Sequence, residues 1–463
     1  MLDALAMCIA KHPFLRARIS GTGPLSRNKI DNNIRLGADK NPLSFSTMDE
    51  ELSLRDIAHS VLRSSSECKA GDFEDAWRAS FDSALNEWEM EVATGPLWQV
   101  SWISCPKCDG SYQHAMVFLF NHAISDQTSA HTLIRDLSTS LKIAHEGRVR
   151  AVEVVEGAPP SVEEAVLGVS HEASPNVLRV LPGCGFSTLQ YSLLQVWHSL
   201  QGAPLLSPRV SLLSASARRR KGYGFRNRNT RVEFEVLDAG LVKELVARCR
   251  REGTTVTGAL VAAVWRAAAR SIETPSEKVD KLRVLMSLDM RRFGQGEGDW
   301  TQATMACAGG ATDFVLRANP ETSAWDLARE ARARITDFIE SPWLPQESVR
   351  LFDVGSRMLD MVQIVKSEGR DNLNTLGRAY SVGVSNAGLF SKGPSAPADR
   401  WAVRNVYYGT SHTHTGCLFQ LSAVTVEGSL CLTFQTPAPI VSEEEAKSFR
   451  SRTMAELMER ISS

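Results

Sequence analysis

The chain has 463 residues, more than one ordinary domain gathers around a single core, so two or three units are expected. Its 43% hydrophobic and 23% charged content suit a globular protein with a large core, and a formal net charge of -1 gives no global attraction to nucleic acid or an anionic membrane. No run approaches the roughly 18 apolar residues of a membrane span, and nine scattered cysteines, an odd number, point to reduced thiols in a cytoplasmic compartment rather than a disulfide framework.

Leu2, Leu5, Ala6 and Ile9 recur at helical spacing, so Leu2 to Lys11 is a helix. With no basic region ahead of it, it is not a signal peptide. Pro13 turns the chain at His12. Phe14 to Ile19 alternates apolar and basic side chains, the pattern of a half-buried strand. Asn28 to Asn41 is polar surface, and Ser53 to Leu62 and Phe73 to Trp88 read as helices. After Gly95-Pro96, Leu97 to Ile103 and Tyr112 to Phe120 read as an antiparallel hairpin. Its turn holds Cys105 and Cys108. A zinc site needs four ligands, and no second pair lies nearby; His412 and His414 are far downstream and two apart. A thioredoxin-like pair would open a helix, so these read as turn cysteines.

The apolar run Met116 to Phe120 is a buried strand that breaks into Asn121, His122, Ala123, Ile124, Ser125 and Asp126. Imidazole takes a proton near neutral pH, and a strand end is a rigid place to hold one. A histidine and an aspartate four residues apart recur by chance, so these residues alone favour a structural histidine over a general base. Thr128 to His145 is an amphipathic helix. Arg148 to Pro182 has no periodicity and reads as a long loop, and Ser187 to Leu200 as a helix. Gly202 to Arg231 runs from proline-rich to arginine-rich, a linker. Its basic cluster is a solvated linker or, as the functional alternative, steers an anionic cofactor.

The second half restarts. Arg231 to Leu237 alternates as a strand, Asp238 caps a helix from Ala239 to Glu252, and an alanine-rich buried helix runs to Ala269. Lys281 to Leu288 and Met305 to Phe314 read as strands, Thr322 to Ile339 and Glu347 to Val365 as helices. Ala379 to Val384 reads as a strand leading into Ser385-Asn386-Ala387-Gly388. Trp401 to Tyr408, Cys417 to Val426 and Leu430 to Gln435 read as strands, and Ser442 to Ile461 as the closing helix. Helices mixed with hairpins in both halves give an α/β (mixed α+β) fold of two lobes, 1–205 and 231–463, with 206–230 between them.

Five stretches then carry a resemblance: HPFLRARI at 12–19, GPLWQV at 95–100, HAISD at 122–126, LDMRRF at 288–293 and VSNAG at 384–388. In this order they resemble the chloramphenicol-acetyltransferase-like superfamily, which includes alcohol O-acetyltransferases, H-x-x-x-D acyltransferases and peptide-synthetase condensation domains. The resemblance covers nearly the whole chain. It implies two similar lobes, each a mixed sheet with flanking helices, and an interlobe tunnel. His122 would be the general base for a hydroxyl or amine that attacks a thioester carbonyl. Asp126 would be structural, paired with Arg291, because a buried carboxylate needs a cation. Asn121, Gln127, Ser385, Asn386, Ser411 and His412 would be tunnel candidates. Asn121 stands where the family commonly has a second histidine, and Gln127 where many members have glycine. The chain begins at the first helix, where relatives usually carry a strand and loop ahead of it. The plant-type DFGWG element is absent.

The resemblance thus implies an acyl-CoA-dependent O-acyltransferase, with acetyl-CoA the expected co-substrate and a small, fairly apolar alcohol the acceptor. No metal, nucleic acid or membrane span is expected, and a monomer with two lobes would supply a complete tunnel. The alternatives are an enzyme that takes its acyl group from a carrier protein and makes an ester or amide, and a repurposed fold that binds or performs pericyclase-like chemistry.

Overall fold

The computed structural model describes residues 1–20, 44–48, 52–69, 71–148, 153–168, 186–201, 206, 208–211, 213, 217–218, 223, 227–273, 278–294, 305–319, 321–358, 375–391, 401–412 and 415–462. The chain divides into two compact units. The first takes Met1–Pro175, Gly294–Ala308 and Ser391–Ala402; the second takes Asn176–Phe293, Gly309–Phe390 and Val403–Ser463. The sequence division at 205 and 231 follows chain order, whereas this one returns two later segments to the first unit.

In the first unit α1 (Leu2–Lys11) buries Leu5, Cys8 and Ile9 against α2 (Leu54–Val61) and α4 (Gln127–His145). Pro13 opens a 3₁₀ turn, Pro13–Arg16, so the strand expected from Phe14 is shorter, β1 (Ala17–Ser20). The turn wins because Arg16 is buried and donates to the Ile9 and Ala10 carbonyls, satisfying the end of α1. β1 pairs antiparallel with β2 (Ser44–Thr47). Asn28 to Asn41 lies outside the described residues.

The main sheet of this unit runs β3-β4-β5. β3 (Leu62–Glu67) was not legible in the sequence: LRSSSE has no alternation. It is a strand because it lies parallel to β4 (Trp98–Pro106), where Ser64 and Ser101 hydroxyls bond at 2.6 Å. Helix α3 (Phe73–Asn86) makes the crossover a parallel pair requires. β5 (Tyr112–Phe120) returns antiparallel as expected, and α5 (Val162–Leu167) interrupts the stretch read as loop.

The second unit is built on six strands in the order β6-β11-β10-β9-β7-β8. These are β6 (Asn229–Leu237), β7 (Lys281–Asp289), β8 (Gly309–Arg317), β9 (Arg378–Phe390), β10 (Gly416–Val426) and β11 (Ser429–Ala438). β9 is parallel to β10 and β7, and the other neighbours are antiparallel, so the sheet is mixed. β10 and β11 turn at Glu427 and Gly428, with φ of 48° and 89°, the geometry of a two-residue hairpin.

The helices of this unit are α6 (Phe186–Gln201), α7 (Pro208–Ser211), α8 (Ala239–Arg251), α9 (Val256–Ile272), α10 (Ala324–Glu340), α11 (Leu344–Met358) and α12 (Glu443–Ser462). Thr255 caps α9, whose apolar side chains are nearly all buried. Much of Gly202 to Arg231 lies outside the described residues. Arg218 and Arg228 do not fit a solvated linker: both are buried, Arg218 on the Val210, Ser211 and Leu213 carbonyls and Arg228 on that of Tyr223.

Two further expectations change. Met305 to Ala308 is not strand, because Met305 and Ala306 pack in the core of the first unit. Trp401 to Tyr408 forms no strand, because its side chains are engaged separately: Trp401 packs on Trp102 and His114, and Tyr407 lies edge-on to Phe234. Among the described residues no helix is long and apolar enough to cross a membrane.

A close backbone approach in the second unit gives a test. A Cβ on Gly258 would stand 2.5 Å from the Ala328 carbonyl oxygen of α10. Gly258→Ala should force α9 and α10 apart and cost ~1–3 kcal/mol, as overpacking does. An unchanged urea midpoint would refute this close approach.

Candidate active site

His122 is placed by packing that begins in β4. Trp98 stands opposite Phe120 in the hairpin and is fully buried, with its indole N–H on the Leu15 carbonyl at 2.8 Å. Its ring stacks on Phe120 and Phe118, with centroids at 6.1 and 6.5 Å. The end of β5 is therefore fixed by aromatic burial. The Asn121 amide then donates to Leu97 O at 2.9 Å, and Asn121 Oδ1 accepts from Ala123 N at 3.0 Å. That Asx turn lifts His122 out of the sheet while Ile124 drops into the core. His122 itself is exposed.

Asp126 ends the turn and caps α4. Its Oδ1 accepts from Ser129 N at 2.8 Å, and its Oδ2 accepts from Ala308 N at 2.7 Å. Ser129, fully buried, donates its hydroxyl to Ala306 O at 2.6 Å and accepts from Ala306 N at 2.9 Å. The first turn of α4 thus grips the chain on both sides of Cys307. That places Cys307 Sγ 3.4 Å from His122 Nδ1. A thiol, an imidazole and a capping carboxylate therefore form one cluster within the first unit.

The Cys307 sulfur, by hydrogen bond and by charge, pushes His122 up from its ordinary 6.5 to about 9, against partial desolvation. The backbone of His122 and the Asp126 carboxylate act in the same direction. His131, further along α4, is buried, and desolvation pushes it down to about 4. It stays neutral, so His122 is the imidazole of this cluster that carries charge near neutral pH.

Of the other sequence candidates, Asn121 shapes the turn and Gln127, half-buried, opens α4. Arg291, Ser385, Asn386, Ser411 and His412 belong to the second unit. Arg291 donates to Asp289 in a 3₁₀ turn at the end of β7. Ser385 and Asn386 lie inside β9, not beyond its end, and the Asn386 side chain donates to Thr257 Oγ1 at 2.9 Å. Ser411 is exposed. His412 is 5% exposed, its amide on Thr230 Oγ1 and its carbonyl on Arg378 Nη1. Burial, then the Arg378 charge, push it down to about 3, so it is a neutral core histidine. Among the described residues no three His, Cys, Asp or Glu side chains gather as metal ligands. Cys105 is buried and Cys108 exposed, both as free thiols.

Sequence reasoning missed Cys307. It lies in MACAGG, among small residues with no motif, 185 positions from His122.

Comparison with known proteins bears on the fold. Residues 227–400 match the family model described as the phthiocerol/phthiodiolone dimycocerosyl transferase C-terminus. No curated protein matches the chain. The chain is similar over 99% of its length to a trichothecene 15-O-acetyltransferase from Fusarium sporotrichioides, covering 85% of that chain at 12% identity and a TM-score of 0.66. It is similar over 99% of its length to the epimerization domain from the third module of tyrocidine synthetase B, covering 88% of that domain at 14% identity and a TM-score of 0.56. A third similar structure is polyketide synthase associated protein 5 from Mycobacterium tuberculosis, at 13% identity, 99% and 90% coverage and a TM-score of 0.52. At these identities the likeness is one of fold.

Two measurements check the cluster. Asp126→Ala removes a cap worth about 1 kcal/mol and leaves the buried Ala308 amide without an acceptor, a further ~1–3 kcal/mol. The urea midpoint should fall accordingly, and an unchanged one would show that the carboxylate holds nothing. Titration of the His122 ring by NMR should give a midpoint near 9 that drops toward 6.5 in Cys307→Ala. Because the folded value is raised, this pair stabilises the fold fully below about 6.5 and is lost as pH climbs through about 9. A midpoint that ignores the substitution would break the thiol–imidazole assignment.

Proposed function

We propose that this chain, which has the fold of the superfamily of CoA-dependent acyltransferases and condensation domains, moves an acyl group from acyl-CoA to a hydroxyl of a small, fairly apolar molecule. The observation that supports this most is His122: an exposed imidazole at a rigid strand end, in an acyltransferase fold, with a sulfur against Nδ1. Acyl transfer from a thioester to an alcohol needs a group to take the hydroxyl proton and a rigid frame to hold it. His122 in its neutral form is that group, and because Cys307 keeps the ring protonated up to about 9, thiol release should rise as pH climbs toward that value. Asp126 keeps the frame rigid through Ser129 and Ala308. The leaving thiolate is reprotonated by the imidazolium so formed, which returns the site to its starting state. Acetyl-CoA is the first donor to try. A second reading, a donor thioester on a carrier protein, is supported by the likeness to a synthetase domain.

The test is thiol release from acetyl-CoA with a panel of hydroxylated small molecules. Release should depend on the acceptor and fall by about a hundredfold or more in His122→Ala, the usual contribution of a positioned base. Its circular dichroism should match wild type, with the melting temperature lowered only by the loss of the thiol–imidazole contact. Release that persists in His122→Ala would remove the residue from the mechanism. Release only from a carrier-bound thioester would select the second reading.

A further inference from the structure

We propose that Cys68 and Cys105 form a site of reversible oxidation: a peroxide closes them into a disulfide across the β3–β4 ladder, and a dithiol reopens it. The pair lies at the turn end of the β4–β5 hairpin, the opposite end from His122, and does not depend on the acyltransferase reading.

Strand register brings the two thiols together. Ser64 stands opposite Ser101, and their hydroxyls bond at 2.6 Å, so these side chains share a face of the sheet. The pairing runs without a shift to Glu67 and Ser104, and Cys68 N on Ser104 O at 2.9 Å carries it one residue further. Side chains alternate along a strand, so four residues on from the serines Cys68 and Cys105 stand opposite each other on that same face. Each thiol already lies on backbone of the facing strand's line: Cys105 Sγ donates to Lys69 O at 3.1 Å and Cys68 Sγ to Ser104 O at 3.5 Å. Paired strands lie about 4.8 Å apart, within the roughly 4.4–6.8 Å between Cα atoms that a disulfide spans. Cys68 is the first residue past β3, so any adjustment is taken up at a strand end.

Sequence spacing pairs Cys105 with Cys108, but the fold separates them. Cys105 is buried on the face it shares with Cys68, whereas Cys108 is exposed in the turn. Other thiols among the described residues have other neighbours: Cys8 lies on Ser140, Cys307 on His122 and Cys431 on Asn405. Cys68 is half-buried, so an oxidant meets it first and Cys105 resolves it. Desolvation, then the Cys105 sulfur beside it, push the Cys68 thiol up from its ordinary value, and the Asp72 carboxylate acts in the same direction. Thiolate is the attacking form, so the pair is quiet near neutral pH and reacts faster as pH rises.

The oxidation has two steps. The Cys68 thiolate attacks one oxygen of hydrogen peroxide, the O–O bond breaks, and the departing hydroxide takes up the proton Cys68 lost. This leaves a sulfenic acid on Cys68 and one water. The Cys105 sulfur then attacks the Cys68 sulfur, the Sγ–Sγ bond forms, the S–O bond breaks, and the hydroxyl leaves as a second water with the Cys105 proton. Two thiols are oxidised by two electrons in all, and one peroxide is reduced. A dithiol returns those electrons and becomes a disulfide itself. The bond closes a loop that holds α3 and the start of β4 with Trp98, so it restricts the unfolded chain and stabilises the first unit.

The experiment treats the reduced full chain with hydrogen peroxide at pH 8, blocks remaining thiols with N-ethylmaleimide, and maps unreduced peptides by mass. A Cys68–Cys105 linked peptide should form, and dithiothreitol should return both thiols. Cys108→Ser should keep the link. Cys68→Ser, a change at a half-buried position, should lose it. Peroxide should raise the melting temperature of wild type and Cys108→Ser by on the order of 5 °C, reversibly with dithiothreitol, and leave that of Cys68→Ser unmoved. A Cys105–Cys108 peptide in place of the expected one overturns the pairing. Recovery of Cys68 and Cys105 as separate maleimide adducts, or of Cys68 as a sulfinic acid beside a free Cys105, shows that the sulfurs do not meet and overturns it too.

Discussion

The Asp126 carboxylate ties together two stretches of chain that are far apart in sequence. One oxygen closes the first turn of α4 through Ser129 N, and the other accepts the Ala308 amide. An ionised carboxylate makes stronger hydrogen bonds than a neutral acceptor, and both amides lack helical partners. Ser129 repeats the tie one step away, as donor and acceptor to Ala306. The turn before the carboxylate carries His122, and the non-strand segment between the Ala306 and Ala308 amides carries Cys307. The reactive pair therefore inherits its geometry from one capping interaction.

The consequence is chemical. An exposed histidine after a strand would titrate near its ordinary value and act as a simple base. A sulfur 3.4 Å from Nδ1 changes which protonation state is favoured. Inside the second unit the same residue types are silenced by burial. His412 and Cys417 share the interior of the second unit with Arg378, and each is held in its neutral form. Arg378 serves backbone carbonyls there, including that of His412. Chemistry at His122 depends on an imidazole left near solvent with a sulfur beside it.

The second unit shows how far local pattern reaches. Thr255, Ser323 and Ser442 each precede a helix and each accepts the amide three residues on, the latter two completed by a carboxylate at that position. The long alanine-rich helix was legible because burial on all sides leaves no polar stripe. β9 was half legible: its apolar start was read as strand, but its polar continuation through Ser385 and Asn386 was not, since it is extended only by pairing with β10.

The sequence by itself determined most of the helices and the Asp238 cap, the β4–β5 hairpin, the buried strand ahead of His122 and the mixed α/β class. All of these rest on interactions within a few residues, or on a burial period repeated along one segment. Tertiary structure alone decided the rest. LRSSSE became a strand because β4 offers it a ladder, Met305 and Ala306 left the strand pattern because the first unit's core takes them, and the arginines at 218 and 228 went inside because carbonyls there need donors. Cys307 was invisible for the same reason. A thiol means nothing until a base lies beside it, and the base is 185 residues away, brought near by the hydrogen bonds of Asp126 and Ser129.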